Sequence, residues 1–273
     1  MTKAPAATLA GLRVVVTRPR VQSAQAARAL TAQGAEVVLL PALEIEPMSP
    51  EPSVLAQCTA VQAAIAVSVN AVQCGLPWLY EHALNPLDWR WFAVGPTTAA
   101  ELKNFDIDAV VPQRHDANGL LALPELQALG AADCALLLRG EGGRKVLAQT
   151  LREQGVALCE LPVYRRTLPQ VEPSQIGAIV DAFQPTVVLV SSADTFDNLC
   201  VLFGERLAWL FENTWLAVVS DRVGEHIHAV AARYGYDEAM STRLWRLTGA
   251  TTEAIVAGLE HNWNHWRSQC ATQ

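Results

Sequence analysis

The chain of 273 residues is short of charge, and the charge it has leans acidic. Charged residues make up 17% of it and the formal net charge is −7. A nucleic-acid binder presents a basic face, so that class is excluded and no nucleic-acid partner is expected. An acidic ligand would have to be held by local donors, since long-range attraction is missing. No run approaches the ~20 apolar residues of a membrane span, and the N-terminal MTKAPAATLAG lacks the apolar stretch of a signal peptide. The expectation is a soluble, cytoplasmic protein without a membrane partner. Six cysteines stand at 58, 74, 134, 159, 200 and 270, with no C-x-x-C among them. Most lie in apolar runs such as ADCALLL, so they read as small buried hydrophobes in a reducing compartment.

Signatures of common chemistries are missing as well. No G-x-G-x-x-G follows a strand: GEGGRK has Lys145 where the third glycine would stand, and it lacks the spacing of a P-loop. His261 and His265 share a helical face, but HNWNH lacks the glutamate of the zinc-protease motif, and a frayed terminal helix is the expected reading. His226 and His228 are two apart on a predicted helix and point different ways. The eight tryptophans are scattered. No nucleophile, base and acid form a convincing set, and no metal or organic cofactor is expected.

What is present is a duplication. QGAEVVLLPALEI (Gln33–Ile45) and QGVALCELPVYRR (Gln154–Arg166) both begin Gln-Gly and reach Leu-Pro through an apolar run. Each follows a helical segment and, before it, a strand ending in arginine: VVVTRP and ALLLRG. Arg18/Arg139, Gln33/Gln154 and Pro41/Pro162 are all 121 positions apart. Further on, VSVNAV (Val67–Val72) resembles VSSADT (Val190–Thr195), and AVGPTTAAEL (Ala93–Leu102) resembles AVVSDRVGEH (Ala217–His226). Strands apolar on both faces alternate with helices throughout, the signature of parallel α/β sheets. Length suggests about two domains. Half the residues, 51%, are hydrophobic, which is ample for two cores.

In such sheets ligands sit beyond the carboxyl ends of the strands, at helix N-termini whose free N–H groups favour anions. The residues predicted there are Thr17-Arg18-Pro19, Ser68-Val69-Asn70, Gly95-Pro96-Thr97-Thr98, Arg139-Gly140-Glu141-Gly142-Gly143, Ser191-Ser192 and Ser220-Asp221-Arg222. Any one of them reads first as a helix cap. Six at matched places in two halves suggest one ligand site lined with neutral donors. Tyr164 breaks the repeat, since its twin is Leu43. It reads either as a packing tyrosine at a hinge or as a phenol able to donate a proton to a leaving oxygen.

VVVTRP, QGAEVVLLPALEIEP, AVSVNAV, AVGPTTAAEL, LLLRGEGGRKVLAQTLREQG, LPVYRRT and VLVSSADTF, in that order, resemble the uroporphyrinogen-III synthase family from about Gly11 to Glu260. The resemblance implies two similar flavodoxin-like α/β domains joined by a two-stranded β connection. Domain 1 would comprise residues 1–40 plus 169–273, domain 2 residues 47–160, and the connection 41–46 and 161–168. It implies cyclisation of the linear tetrapyrrole hydroxymethylbilane, without a cofactor, by a monomer open to transient contact with the preceding pathway enzyme. Tyr164 matches the family tyrosine that assists hydroxyl departure. Ser68, Thr98, Ser191 and Ser192 match positions facing the substrate; Asn70 and Thr97 stand in the same turns as Ser68 and Thr98, and Ser220 opens the remaining one. Ser220-Asp221-Arg222 departs from the family's turn, which leaves backbone donation there but puts a hydroxyl role in doubt. Arg18 and Arg139 pair either with substrate carboxylates or with acidic neighbours such as Glu141. A two-lobed binding protein for a small acidic ligand and a glycosyltransferase-like enzyme are the competing classes.

Overall fold

Runs of β-branched and apolar residues alternate with helical segments along the chain, and the fold turns that alternation into parallel sheets. The computed structural model describes residues 7–57, 60–82, 84–143, 145–182 and 184–270. The first elements are β1 (Arg13–Val16), α1 (Arg20–Ala32), β2 (Glu36–Leu39), β3 (Glu44–Pro47), β4 (Val61–Ala66), α2 (Val69–Glu81), β5 (Arg90–Ala93), α3 (Pro96–Lys103) and β6 (Ala109–Val110). Next come α4 (Ala117–Leu121), α5 (Pro124–Gln127), β7 (Cys134–Gly140), α6 (Val146–Glu153), β8 (Ala157–Thr167), α7 (Pro173–Val180) and β9 (Thr186–Val190). The chain closes with α8 (Ala193–Phe203), α9 (Leu207–Glu212), β10 (Thr214–Val218), α10 (Asp221–Arg233), α11 (Asp237–Arg243), β11 (Leu244–Arg246) and α12 (Thr252–Cys270). Among the described residues no helix is long and apolar enough to cross a membrane.

The chain divides into two units: Met1–Glu44 with Leu168–Gln273, and Ile45–Thr167. In the first, five strands are ordered β11-β10-β9-β1-β2, all paired in parallel. Side chains alternate across that sheet. Val15, Val188, Phe196 and Phe211 fill one face, and Val14, Val16, Val187 and Trp245 fill the other. In the second, six strands are ordered β3-β8-β7-β4-β5-β6. Leu136, Leu138, Leu161 and Trp91 pack on one side, and Ala135, Leu137, Phe92 and Leu151 on the other.

The duplication explains both orders. β1 and β7 are twins, as are β2 and β8, β9 and β4, and β10 and β5. Read through the twins, the first sheet is 2-1-3-4-5, the flavodoxin-like doubly wound order. The second has the same order plus β3 at its edge. Register is kept too: Val16 faces Leu39, and 121 residues later Leu137 faces Glu160. Each unit therefore takes its first βαβ from one copy and its later strands from the other. Neither copy forms a unit alone. The boundaries expected at 41–46 and 161–168 fall on β3 and on the last seven residues of the unbroken β8.

Several element bounds differ from expectation, each for a local reason. The helix expected over Ser53–Gln62 is a short 3-10 stretch, Pro52–Gln57, because residues from Val61 onward are taken by β4 between β5 and β7. The helix expected over Leu120–Leu129 is two, since Pro124 has no N–H to continue one and starts the next. The helix expected over Ile176–Phe183 begins at Pro173, where Glu172 and Gln175 form a capping box; Phe183 lies outside the described residues, as does Cys58. The strand expected within Tyr236–Leu247 is reduced to three residues after the unpredicted α11. The terminal helix is not frayed at His261 and His265: it runs to Cys270, anchored by buried Trp263, which stacks on Trp266 at 4.8 Å. The cysteine reading holds for Cys159, which is buried, but Cys270 is exposed. Burial pushes the Cys200 thiol up to about 11, with the Asp197 charge adding to it.

Gly34 and Gly155 are twins at φ +85° and +88°, each turning the chain from helix into strand. A left-handed alanine costs about 1–2 kcal/mol at either. At Gly34 a Cβ would also lie 2.8 Å from the Ala7 Cβ, whereas at Gly155 nothing comes nearer than 3.5 Å. Gly34→Ala should therefore destabilise more than Gly155→Ala in urea unfolding. Equal losses would mean that the Ala7 segment gives way.

Candidate functional site

The switch points of the two sheets lie where β1 meets β9 and where β7 meets β4, and ligands of such folds bind beyond the strand ends there. At the second of these a tyrosine is built into the floor. β7 and β8 run in register from Cys134/Ala157 to Arg139/Pro162, then Gly140 faces Tyr164, so one extra residue is inserted in β8. That shift changes the strand's alternation and puts Tyr164 on the same side as Leu161 and Val163. Pro162, which has no N–H to donate, sits just before the irregularity.

Tyr164 crosses β7 at Gly140 and ends at the turn after β4. Its hydroxyl is 3.1 Å from Ser68 Oγ, and Ser68 Oγ also accepts the Ala71 N–H at 3.1 Å as the cap of α2. The ring is only 3% exposed, packed with Leu138 and Leu161. A Cβ on residue 140 would stand 2.6 Å from Tyr164 Cζ and 2.9 Å from its hydroxyl oxygen, so this crossing requires glycine. The Glu141 N–H donates to the Tyr164 carbonyl at 2.8 Å, fixing the backbone on the other side. The phenol is thus packed on its sheet, with its oxygen held by Ser68.

The neighbouring turns differ in what they offer. Asn70 is half-buried in the first turn of α2. Gly95 caps α3 without a side-chain bond, Thr97 is exposed, and Thr98 is buried at 4%. Arg139 is committed within its own unit: it forms an ion pair with Glu160 and donates to the Gly143 carbonyl at 2.6 Å. Glu160 also holds Arg152 at 2.6 Å. The acidic neighbour is therefore Glu160 on β8, not Glu141. Together with Lys145 and Gln149 these side chains line a surface groove of about 500 Å³.

At the switch point of the first unit, the buried Thr17 hydroxyl donates to the Leu189 carbonyl and ties β1 to β9. Arg18 follows, half-buried, with its Nε shielded from solvent and without a hydrogen-bond partner. Burial lowers its pKa from the ordinary arginine value. Ser192 caps α8, accepting the Thr195 N–H at 3.1 Å, with the Thr195 hydroxyl at 2.8 Å; Ser191 beside it is half-buried. Ser220 precedes α10 but its side chain makes no cap bond, and the following Asp221 pairs with Arg246. The first-turn N–H groups of α1 and α10 are likewise uncapped by side chains. Among the described residues no three His, Cys, Asp or Glu side chains cluster to hold a metal; His265 instead meets Gln269 at 3.0 Å.

Sequence reasoning found the turns and the odd tyrosine but missed Gly140 and Glu160 as their partners. Both stand at repeat positions in the sequence, Gly140 directly after Arg139 and Glu160 at 121 beyond Leu39, but their contacts follow only from the β7–β8 register.

A duplicated chain folded as two flavodoxin-like parallel α/β units, with hydroxyls, glycines and twin arginines at the strand ends, defines the class. Solved structures share this fold. Uroporphyrinogen III synthase of Thermus thermophilus matches with a TM-score of 0.60 at 16% identity, over 94% of this chain and 99% of that one. The Helicobacter pylori synthase matches at 0.58 and 15%, over 92% and 98%. Closer in sequence are the uroporphyrinogen-III synthases of Escherichia coli, 29% identical over 78% of this chain and 89% of that protein, and of Salmonella typhimurium, 30% identical over the same shares. Residues 24–238 match the family model for uroporphyrinogen-III synthase HemD. The chain belongs to the uroporphyrinogen-III synthase family.

Overpacking at a glycine costs about 1–3 kcal/mol. Gly140→Ala should lose that much stability in the parent and recover most of it in the Tyr164→Leu background, where the twin residue replaces the ring. The same loss in both backgrounds would show that the tyrosine is not what the methyl meets.

Proposed function

We propose that this enzyme of tetrapyrrole biosynthesis is a hydro-lyase that closes hydroxymethylbilane to uroporphyrinogen III, with loss of water and inversion of ring D. Family membership over residues 24–238 is the observation that carries the reading. The site chemistry fits it. The electron-rich terminal pyrrole expels its own hydroxyl, leaving an azafulvene cation. Ring D attacks through its substituted carbon, giving a spiro intermediate that fragments and recloses inverted, and a proton is lost at the end. The substrate drives these steps, so the protein's tasks are to fold the chain, hold its carboxylates and help the hydroxyl leave.

Tyr164 is the proposed donor to the departing hydroxyl. Its support is geometric: one phenol at a sheet's switch point, its oxygen fixed by Ser68 at 3.1 Å. A neutral phenol can assist departure without a strong base. Ser68, Asn70, Thr97, Thr98, Ser191, Ser192 and Ser220 are proposed to meet substrate through hydroxyls and neighbouring N–H groups, Ser220 through backbone alone. Arg139 would reach a carboxylate only by leaving Glu160. No metal enters the proposed chemistry, and the enzyme is proposed to act as a cytoplasmic monomer, receiving its labile substrate by transient contact with the enzyme that makes it.

The deciding assay is to supply hydroxymethylbilane and separate type I from type III uroporphyrinogen, since unassisted closure gives type I. Type III is expected; type I alone, with ligand still bound, would point to a binding protein. Tyr164→Phe should lower kcat by about 10²-fold or more with the fold intact and a stability loss of no more than about 1.5 kcal/mol from the lost bond to Ser68; an unaltered rate would remove its role. Activity should also survive treatment with EDTA, and loss restored by a divalent metal would contradict the cofactor-free reading.

A further inference from the structure

The two units carry the same arginine at the same place, and only one of them is neutralised. Arg139 at the end of β7 has Glu160 on the neighbouring strand. Arg18, its twin after β1, has the corresponding neighbour at Leu39, because Val16/Leu39 and Leu137/Glu160 are the same register pair 121 residues apart. Leu39 is 50% exposed, an unusual setting for a leucine at the end of an edge strand. Among the described side chains no carboxylate comes within ion-pair distance of Arg18, and its buried Nε has no partner. Glu36, at the opposite end of the β1–β2 pair, is held by Arg13 at 3.1 Å.

A half-buried cation without a counter-ion is costly unless an anion arrives to complete it. Duplication makes the comparison direct: one copy has an internal carboxylate, the other an uncharged surface residue. We propose that Arg18 is the carboxylate anchor of the first unit, and that leucine at position 39 keeps it open for an anionic ligand, while Arg139 is a structural cation closed by Glu160. The planar guanidinium suits this task, because it can grip a carboxylate through two N–H groups and cannot be switched off by deprotonation. The uncapped first turn of α1 beside it adds backbone donors of the same sign. This rests on the reading of the substrate as an acidic tetrapyrrole, and it adds which cation receives a carboxylate and what keeps that cation free.

The test rebuilds the twin's ion pair. Leu39→Glu, at an exposed position, should close Arg18 as Glu160 closes Arg139. KM for hydroxymethylbilane should rise about tenfold, the equivalent of roughly 1.4 kcal/mol, with kcat within about twofold and unfolding unchanged. Arg18→Gln should raise KM by a similar factor. The double variant should be no worse than Arg18→Gln alone, because the glutamate has nothing left to neutralise. Unchanged KM in Leu39→Glu and Arg18→Gln, or losses that add in the double variant, would overturn the assignment. Titration of uroporphyrin I, a polycarboxylate macrocycle, followed by its fluorescence, separates the two readings. If the parent makes only type I product, the proposed reaction fails, and the anchor still stands or falls on whether Leu39→Glu weakens uroporphyrin binding about tenfold.

Discussion

Tyr164 lying across Gly140 is the contact on which the second unit's strand ends depend. A one-residue slip between β7 and β8 turns the tyrosine onto the face of Leu161 and Val163. A glycine leaves room for the ring, and a capping serine receives the hydroxyl at 3.1 Å. Each part constrains the others. Without the slip, strict alternation would send Tyr164 to the opposite face, away from Ser68. With any side chain at 140, the ring could not reach across β7. With no hydroxyl at 68, the buried phenol would lack its partner.

The close fit continues into the packing. α2 approaches the sheet at Gly75, where a Cβ would stand 3.0 Å from Leu138 and 3.4 Å from Val163. The helix can therefore sit low enough for its Ser68 cap to meet the tyrosine. β3, beside β8, extends the same sheet one strand beyond the flavodoxin-like order, and the Arg165–Glu46 pair at 2.7 Å joins these two strands. That pair holds the Glu46 carboxyl below its usual range and raises Arg165, but both side chains are substantially exposed, so its contribution to stability is small. The slip and the glycine, set by packing in a buried site, determine the geometry far more than the surface charges do.

The fold was legible because its signals are periodic. Apolar strands, glycine after helices, and a repeat at 121 residues are visible in one sequence, and they led to the parallel sheets and to the twin positions. The failures are equally physical. The bounds of α4 and α5 turn on one proline, those of β4 on pairing with β7 across 70-odd residues of chain. The short β11 earns its strand conformation only by lying beside β10. At the site, Tyr164 was visible as a break in the repeat. What it touches was not, because a register slip has no local signature. Arg18 and Arg139 looked equivalent from their own neighbourhoods. Their difference lives on the adjacent strand, at Leu39 and Glu160, and it emerges only when the register is known.

Duplication clarifies why the asymmetry is informative. Two copies that began alike share their buried pattern, since core positions in both sheets must still be filled at native density. The copies are also divided between the units: β1, α1 and β2 complete a sheet with β9, β10 and β11, while β7 and β8 complete one with β4, β5 and β6. Each unit thus needs both copies, and neither can be lost without exposing the other's core. Under that constraint, the places where twins diverge are places where packing does not require identity. Leu43 against Tyr164 and Leu39 against Glu160 are two such places: Leu39 ends β2 and Leu43 precedes β3, whereas Glu160 and Tyr164 lie within the longer β8, beside the last residues of β7. One divergence adds a phenol to a sheet whose arginine is already neutralised. The other leaves an arginine unneutralised in a sheet that has no phenol at the twin position. Starting from one shared frame, the two units have in this way diverged beside their sheets' switch points, one gaining a buried phenol and a closed ion pair, the other keeping an unpaired arginine.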